Sequence, residues 1–99
     1  MSDNRFQTGA VTEAVDHVAV GKKMLTDYIN DKLEKQDGFQ ITEDYIYVVW
    51  FTYVLGNWKM VASTSLPDRM YYEVTHNTAK RETYIDAYLK VDNREYSHV

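Results

Sequence analysis

Three histidines are the residues of this chain best suited to bind a metal ion or act as a catalytic base. They are His17, His76 and His98. A metal site needs ligands that converge, such as two histidines one helical turn apart, and none of the three has a partner at such a spacing. The chain has no cysteine, which excludes thiolate ligands, disulfides and cysteine nucleophiles. We therefore predict no metal site and no cofactor.

Carboxylates are the second group that could do chemistry. Glu73, Glu82 and Asp86 could perform general acid–base catalysis if they were buried close together. On the exposed side of an antiparallel sheet they would instead be solvated. Ser63 and Ser65 fall inside a predicted strand and lack the strained turn of a nucleophilic serine. We predict that the chain is not an enzyme, and a small enzyme built on His76 and the carboxylates remains the weaker alternative.

A helix is the first element that would position these side chains. An apolar stripe with helical spacing predicts it over residues 10–36, with Thr8 or Thr12 as the N-terminal cap and Gly38 after its end. Gly21 and Lys22 interrupt the pattern. Residues 1–9 show no periodicity and are predicted to be flexible. The stripe consists of Val11, Val15, Val18, Leu25, Ile29 and Leu33.

A sheet accounts for the rest of the chain. Residues 45–55 contain no charge, glycine or proline and predict the longest strand. Further strands are predicted at 58–65, 70–76 and 81–89, with a two-residue turn at Gly56-Asn57 after the first strand. Residues 81–95 also fit a helix, because Tyr84, Tyr88 and Val91 would share one helical face. The sequence thus predicts an α+β fold in one domain, residues 10–99, with one N-terminal amphipathic helix packed on a four-stranded antiparallel β-meander.

The predicted register divides the sheet into two faces. Pairing of Leu55 with Trp58 places Val49 and Leu55 on an uncharged face that the helix would cover. Val48 falls on the opposite face, which we name the open face, together with seven residues that we predict as a candidate interface. In this register Met60 lies across from His76, Glu73 across from Tyr84 and Asp86 across from Tyr71. The candidate interface residues of the open face are Trp50, Tyr71, Glu73, Glu82, Tyr84, Asp86 and Tyr88. An alternative is that the C-terminal segment, residues 91–99, folds over this face and hides it.

Several motifs between Gln40 and Asn93 point to a known family. They are Ile41-Thr42-Glu43-Asp44, Val48-Val49-Trp50, Asn57-Trp58-Lys59, Ser63-Thr64, Leu66-Pro67-Asp68, Met70-Tyr71-Tyr72-Glu73-Val74-Thr75 and Glu82-Thr83-Tyr84-Ile85-Asp86-Ala87-Tyr88. This segment resembles small proteins encoded by phages and prophages of Gram-positive bacteria, catalogued as a domain of unknown function. The chain departs from them at Arg69, where they prefer glycine, and at Asn77-Thr78, where they tend to have Asn-Gly. The resemblance implies a phage or prophage origin and no particular activity.

Charge and composition indicate the class of partner. Eleven basic residues against fifteen acidic ones give a net charge of −4 and a pI of about 5.2, which disfavours nonspecific binding to nucleic acid. An acidic face rich in aromatic residues suits a protein surface, either a host or phage protein or a second copy in a homodimer. The alternative is an accessory protein for single-stranded nucleic acid, or a DNA mimic. The polar start of the chain, residues 1–5, precedes no apolar stretch, so we predict no secretion signal, no membrane segment and a cytoplasmic location in a bacterial host.

Overall fold

A computed structural model describes residues 16–36 and 38–98. Helix α1 spans His17–Gln36 and a short 3-10 turn spans Glu43–Tyr45. Four strands follow, β1 (Ile46–Val54), β2 (Asn57–Thr64), β3 (Met70–Asn77) and β4 (Glu82–Leu89), and they form an antiparallel sheet in the order β1-β2-β3-β4. The predicted α+β fold is confirmed, and residues 82–89 form a strand rather than a helix. No helix in the described residues is long and apolar enough to cross a membrane.

Asp16 caps the start of α1. Its side-chain Oδ1 accepts a hydrogen bond from the Ala19 N–H at 3.1 Å, and its carbonyl accepts one from the Val20 N–H at 3.0 Å. A carboxylate at this position satisfies an amide that has no partner within the helix and interacts favourably with the helix dipole. The predicted flexible segment 1–9, the predicted helical residues 10–15 and the predicted caps Thr8 and Thr12 lie outside the described residues.

Gly21 marks the closest approach between the helix and the sheet. A Cβ at this position would lie 3.0 Å from Met60 Cε and 3.3 Å from Trp58 Cζ3. The glycine therefore lets the helix axis approach β2. This close packing offsets the cost of glycine inside a helix, which is about 1 kcal/mol relative to alanine. The helix continues through Gly21 to Gln36.

The core lies between α1 and the helix side of the sheet. Ile41, in the linker before β1, belongs to it and is held by Asn30 of the helix through two hydrogen bonds. Burial raises the pKa of the Tyr72 hydroxyl to about 12, so this tyrosine is a neutral core residue at physiological pH. The buried apolar residues are Leu25, Ile29, Ile41, Ile46, Trp58, Met60, Ala62, Tyr72 and Val74.

A β-bulge at Val49 corrects the predicted faces of β1. Val48 pairs with Ala62 and Trp50 pairs with Val61, so Val49 is an extra residue between them. Because of this extra residue, the side chains of β1 that precede Val49 point to the opposite faces from those predicted. Val48 therefore packs against the core, whereas Val49 is 63% exposed, and the prediction was wrong for both residues.

The turn between β1 and β2 also differs from the prediction. Val54 pairs with Asn57, so the two turn residues are Leu55 and Gly56 rather than Gly56 and Asn57. Both have positive φ, 53° and 85°, as a type I′ hairpin turn requires. Leu55 is 92% exposed and does not contribute to the core.

The observed pairings of β2 with β3 and of β3 with β4 each differ from the predicted register by two residues. Because side chains alternate with period two, these residues stay on their predicted faces.

Replacing Leu55 with asparagine is expected to raise the free energy of unfolding by about 1 kcal/mol, because a leucine in the left-handed conformation is strained and asparagine tolerates it. Chemical denaturation measures the change. Leu55→Ala is the control, because alanine removes the same exposed side chain but keeps the unfavourable φ. An Asn variant that is no more stable than the Ala variant would show that backbone strain at this turn does not limit stability.

Candidate functional site

The open face is formed by alternate residues of the four strands, on the side of the sheet away from the helix. Across the sheet they form rows, because paired residues on neighbouring strands point to the same side. One row is Trp50, Val61, Glu73 and Asp86; the next is Tyr47, Ser63, Tyr71 and Tyr88; a third is Thr52, Lys59, Thr75 and Tyr84. All seven predicted candidate residues lie on this face, with Glu82 at the end of β4 nearest the β3–β4 loop.

Large aromatic surfaces are exposed on this face. Trp50 and Tyr84 are each 50% exposed, and Tyr71 and Tyr88 are exposed by more than a third. Residues 90–98 have no regular secondary structure and are exposed throughout, so within the described residues the C-terminal segment does not cover the aromatic side chains. This finding decides against the alternative in which that segment hides the face.

The acidic and aromatic residues of the open face contact one another. The rings of Tyr71 and Tyr88 stack with centroids 5.0 Å apart and planes inclined by 18°. The Tyr88 hydroxyl donates to Glu73 Oε1 at 3.3 Å, and the Lys59 ammonium lies 3.6 Å from the same oxygen. The predicted cross-strand partners were wrong, since Glu73 faces Asp86 and Tyr71 faces Tyr88.

Electrostatics keep the tyrosine hydroxyls of this face protonated. Repulsion by the Glu73 carboxylate is the largest cause of the raised pKa of Tyr88. The pKa of Tyr84 is raised first by the hydrogen bond that its hydroxyl donates to Glu82. The hydroxyls therefore act as hydrogen-bond donors to carboxylates, and neither is poised as a base. The surface offers negative charge, aromatic rings and a depression of about 180 Å³ beside Lys59 and Thr75.

The described residues include no group of three or more histidine, cysteine, aspartate or glutamate side chains that could hold a metal ion. Glu82 and Asp86 are exposed and Glu73 is partly exposed, and Tyr84 and Tyr88 donate hydrogen bonds to Glu82 and Glu73.

A second cluster, at the end of the sheet beside the start of α1, was missed from the sequence. His17 stacks on Tyr53 at 5.0 Å, and His76 stacks on Trp58 at 5.5 Å. His76 Nδ1 lies 2.8 Å from the Thr83 hydroxyl. These residues line a cavity of about 340 Å³. The predicted pairing of His76 with Met60 concealed the cluster, because the observed partner of His76 is Trp58.

Residues 18–98 match the model of a protein family described as "Family of unknown function (DUF6275)". No curated protein and no solved structure matches the chain. The family match thus covers all four strands and the helix except its first residue, His17, and it assigns no activity.

Proposed function

Because the chain belongs to this family of unknown function, DUF6275, we propose its function from the site itself: it is a non-enzymatic module that binds another protein through the open face. The observation that carries the proposal is the set of four aromatic side chains, Trp50, Tyr71, Tyr84 and Tyr88, exposed together on one side of the sheet. Large apolar side chains exposed together on one surface often mark an interaction site.

The residue types support a protein partner. Tryptophan and tyrosine are enriched in interfaces and are the commonest sources of binding energy there, because each buries a large rigid surface. The carboxylates beside them would add specificity and speed of association, since complementary charge steers partners together.

A nucleic-acid partner is less well supported. Binding to single strands combines stacking with a basic groove that follows the phosphates. Within the described strands, Lys59 is the cation of the open face, and it lies 3.6 Å from Glu73, which offsets its charge. Three carboxylates, Glu73, Glu82 and Asp86, would repel a phosphate backbone.

The setting that we propose is the cytoplasm of a bacterial host, with the protein encoded by a phage or prophage. The resemblance of residues 40–93 to small phage and prophage proteins of Gram-positive bacteria supports this origin. The absence of cysteine is compatible with a reducing compartment. On this proposal the partner is a host or phage protein that occurs in infected or lysogenic cells.

We expect Trp50→Ala and Tyr84→Ala each to raise the dissociation constant for the protein partner at least about tenfold, as for aromatic side chains central to an interface. The partner is first identified by affinity capture from an infected or lysogenic host, and its affinity for each purified variant is then measured by calorimetry. Tyr96→Ala is the matched control, because Tyr96 is 72% exposed and lies in the C-terminal segment, outside the sheet.

Circular dichroism of the variants checks that the fold is intact, as expected for substitutions of half-exposed side chains. Sedimentation of the wild-type chain tests self-association at the same time. Affinities unchanged by both open-face substitutions would contradict the proposal, as would a monomer for which no partner is recovered.

A further inference from the structure

Two carboxylates face each other on the open face, midway along β3 and the edge strand β4. Glu73 on β3 pairs directly with Asp86 on β4. Side chains in such positions have Cβ atoms about 4.5–5.5 Å apart, and like charges placed there destabilise the sheet. In the described part of the chain the one cation within ion-pairing distance of either carboxylate is Lys59, on the Glu73 side. A cation supplied from outside would relieve the repulsion.

Aromatic rings flank this pair on the same face. Tyr84 and Tyr88 are two residues before and after Asp86 on β4, and Tyr71 is two residues before Glu73 on β3. The Tyr71 and Tyr88 rings are stacked on each other, and Tyr88 donates a hydrogen bond to Glu73. Neutral aromatic rings attract cations to their faces. The pair of carboxylates is therefore bordered by rings that favour the same class of ligand.

The group that matches both features is a guanidinium. It is planar, permanently charged and able to donate two parallel hydrogen bonds to a carboxylate, and it stacks on aromatic rings. A lysine ammonium also pairs with carboxylates and can lie over an aromatic ring, as Lys32 does over Tyr28, but it is a strongly hydrated point charge that neither binds a carboxylate through two parallel hydrogen bonds nor stacks as a plane. A phosphate or a carboxylate of a partner would be repelled.

A second copy of this chain is a poor match for the same face. In a symmetric pairing of two open faces, Glu73, Glu82 and Asp86 would meet the same three carboxylates, with Lys59 the one cation that each described face contributes. Charge complementarity therefore favours a different protein with a basic patch.

We propose that the partner of the open face presents an arginine side chain to the Glu73–Asp86 pair, with its guanidinium against the neighbouring tyrosine rings. This inference rests on the proposed function, because it names the chemistry of the partner for the same surface.

The test compares two probes, the peptides Ac-Gly-Arg-Gly-Arg-Gly-Arg-Gly-amide and its lysine counterpart, titrated into the isotope-labelled protein at low salt. We expect the arginine peptide to shift the amide resonances of Glu73, Asp86 and Tyr88 and to bind at least about fivefold more tightly than the lysine peptide. Asp86→Asn is expected to abolish most of this preference. The matched control is Asp27→Asn, which changes the net charge equally but lies on α1, on the other layer of the molecule.

Equal binding of the two peptides, or an arginine preference that survives in Asp86→Asn, would overturn the inference. The result is separable from the test of the proposed function. A captured partner whose affinity depends on Trp50 and Tyr84 but not on Asp86 would support the proposed function and contradict the proposed arginine contact. Loss of partner affinity in Asp86→Asn, with Asp27→Asn unchanged, would support both.

Discussion

Replacing Leu25 with alanine is expected to lower the free energy of unfolding by about 3 kcal/mol. Leu25 is fully buried in the core between α1 and the sheet. Its truncation removes the transfer free energy of the lost methyl groups and leaves a cavity that the packed neighbours fill only in part. For a domain of this size the loss is a large fraction of the total stability of about 5–15 kcal/mol.

Urea denaturation, followed by far-ultraviolet circular dichroism, measures this change. The control is Leu89→Ala at the end of β4, where the same side chain is 58% exposed and the same atoms are removed. Equal losses at the two leucines would contradict the position of the core beneath α1. A loss confined to Leu25 would support a core that lies between α1 and the sheet.

The faces of the sheet could be predicted because they depend on a period of two, which tolerates errors in the turns. The pairings of β2 with β3 and of β3 with β4 were displaced by two positions, yet every candidate residue of the open face stayed on the predicted side. The bulge at Val49 could not be predicted, because an extra residue in a run of β-branched and aromatic side chains leaves no mark in the composition.

Turn geometry was less accessible to sequence reasoning. Arg69 and Arg81 adopt positive φ, 62° and 54°, although arginine has no preference for that conformation. The resemblance noted in the sequence places glycine at the position of Arg69, and glycine adopts the left-handed backbone found there without strain. At the first hairpin, Gly56-Asn57 is a plausible turn pair in isolation, but the pairing of Val54 with Asn57 places the turn one residue earlier.

Side-chain clusters that join distant parts of the chain were the features that the sequence concealed most completely. His17 and His76 were each interpreted as solitary, and both contact the ring system around Trp58. Their proximity depends on how the helix crosses the sheet, which helical periodicity alone does not specify.

Replacing Asn30 with alanine is expected to lower the free energy of unfolding by about 2 kcal/mol. Helical periodicity places Asn30 on the solvent side of α1, but the linker before β1 passes over it. The Asn30 Nδ2 donates to the Ile41 carbonyl at 2.9 Å, and the Ile41 N–H donates to Asn30 Oδ1 at 2.7 Å. The carboxamide thus pairs with both main-chain groups of one residue, as a residue of a neighbouring antiparallel strand would, and its loss leaves two main-chain groups of a buried residue without partners.

Asp31→Ala is the matched control for this prediction. Aspartate and asparagine have similar helix propensities, so both substitutions gain the same from alanine. The Asp31 carboxylate lies 3.5 Å from the Lys35 ammonium in an exposed pair, whose contribution to stability is small. Amide hydrogen exchange gives the decisive reading, because the Ile41 amide should be protected in the wild-type chain and in Asp31→Ala but exchange rapidly in Asn30→Ala. Protection that persists in Asn30→Ala would mean that burial of Ile41, rather than the asparagine, holds the linker against the helix.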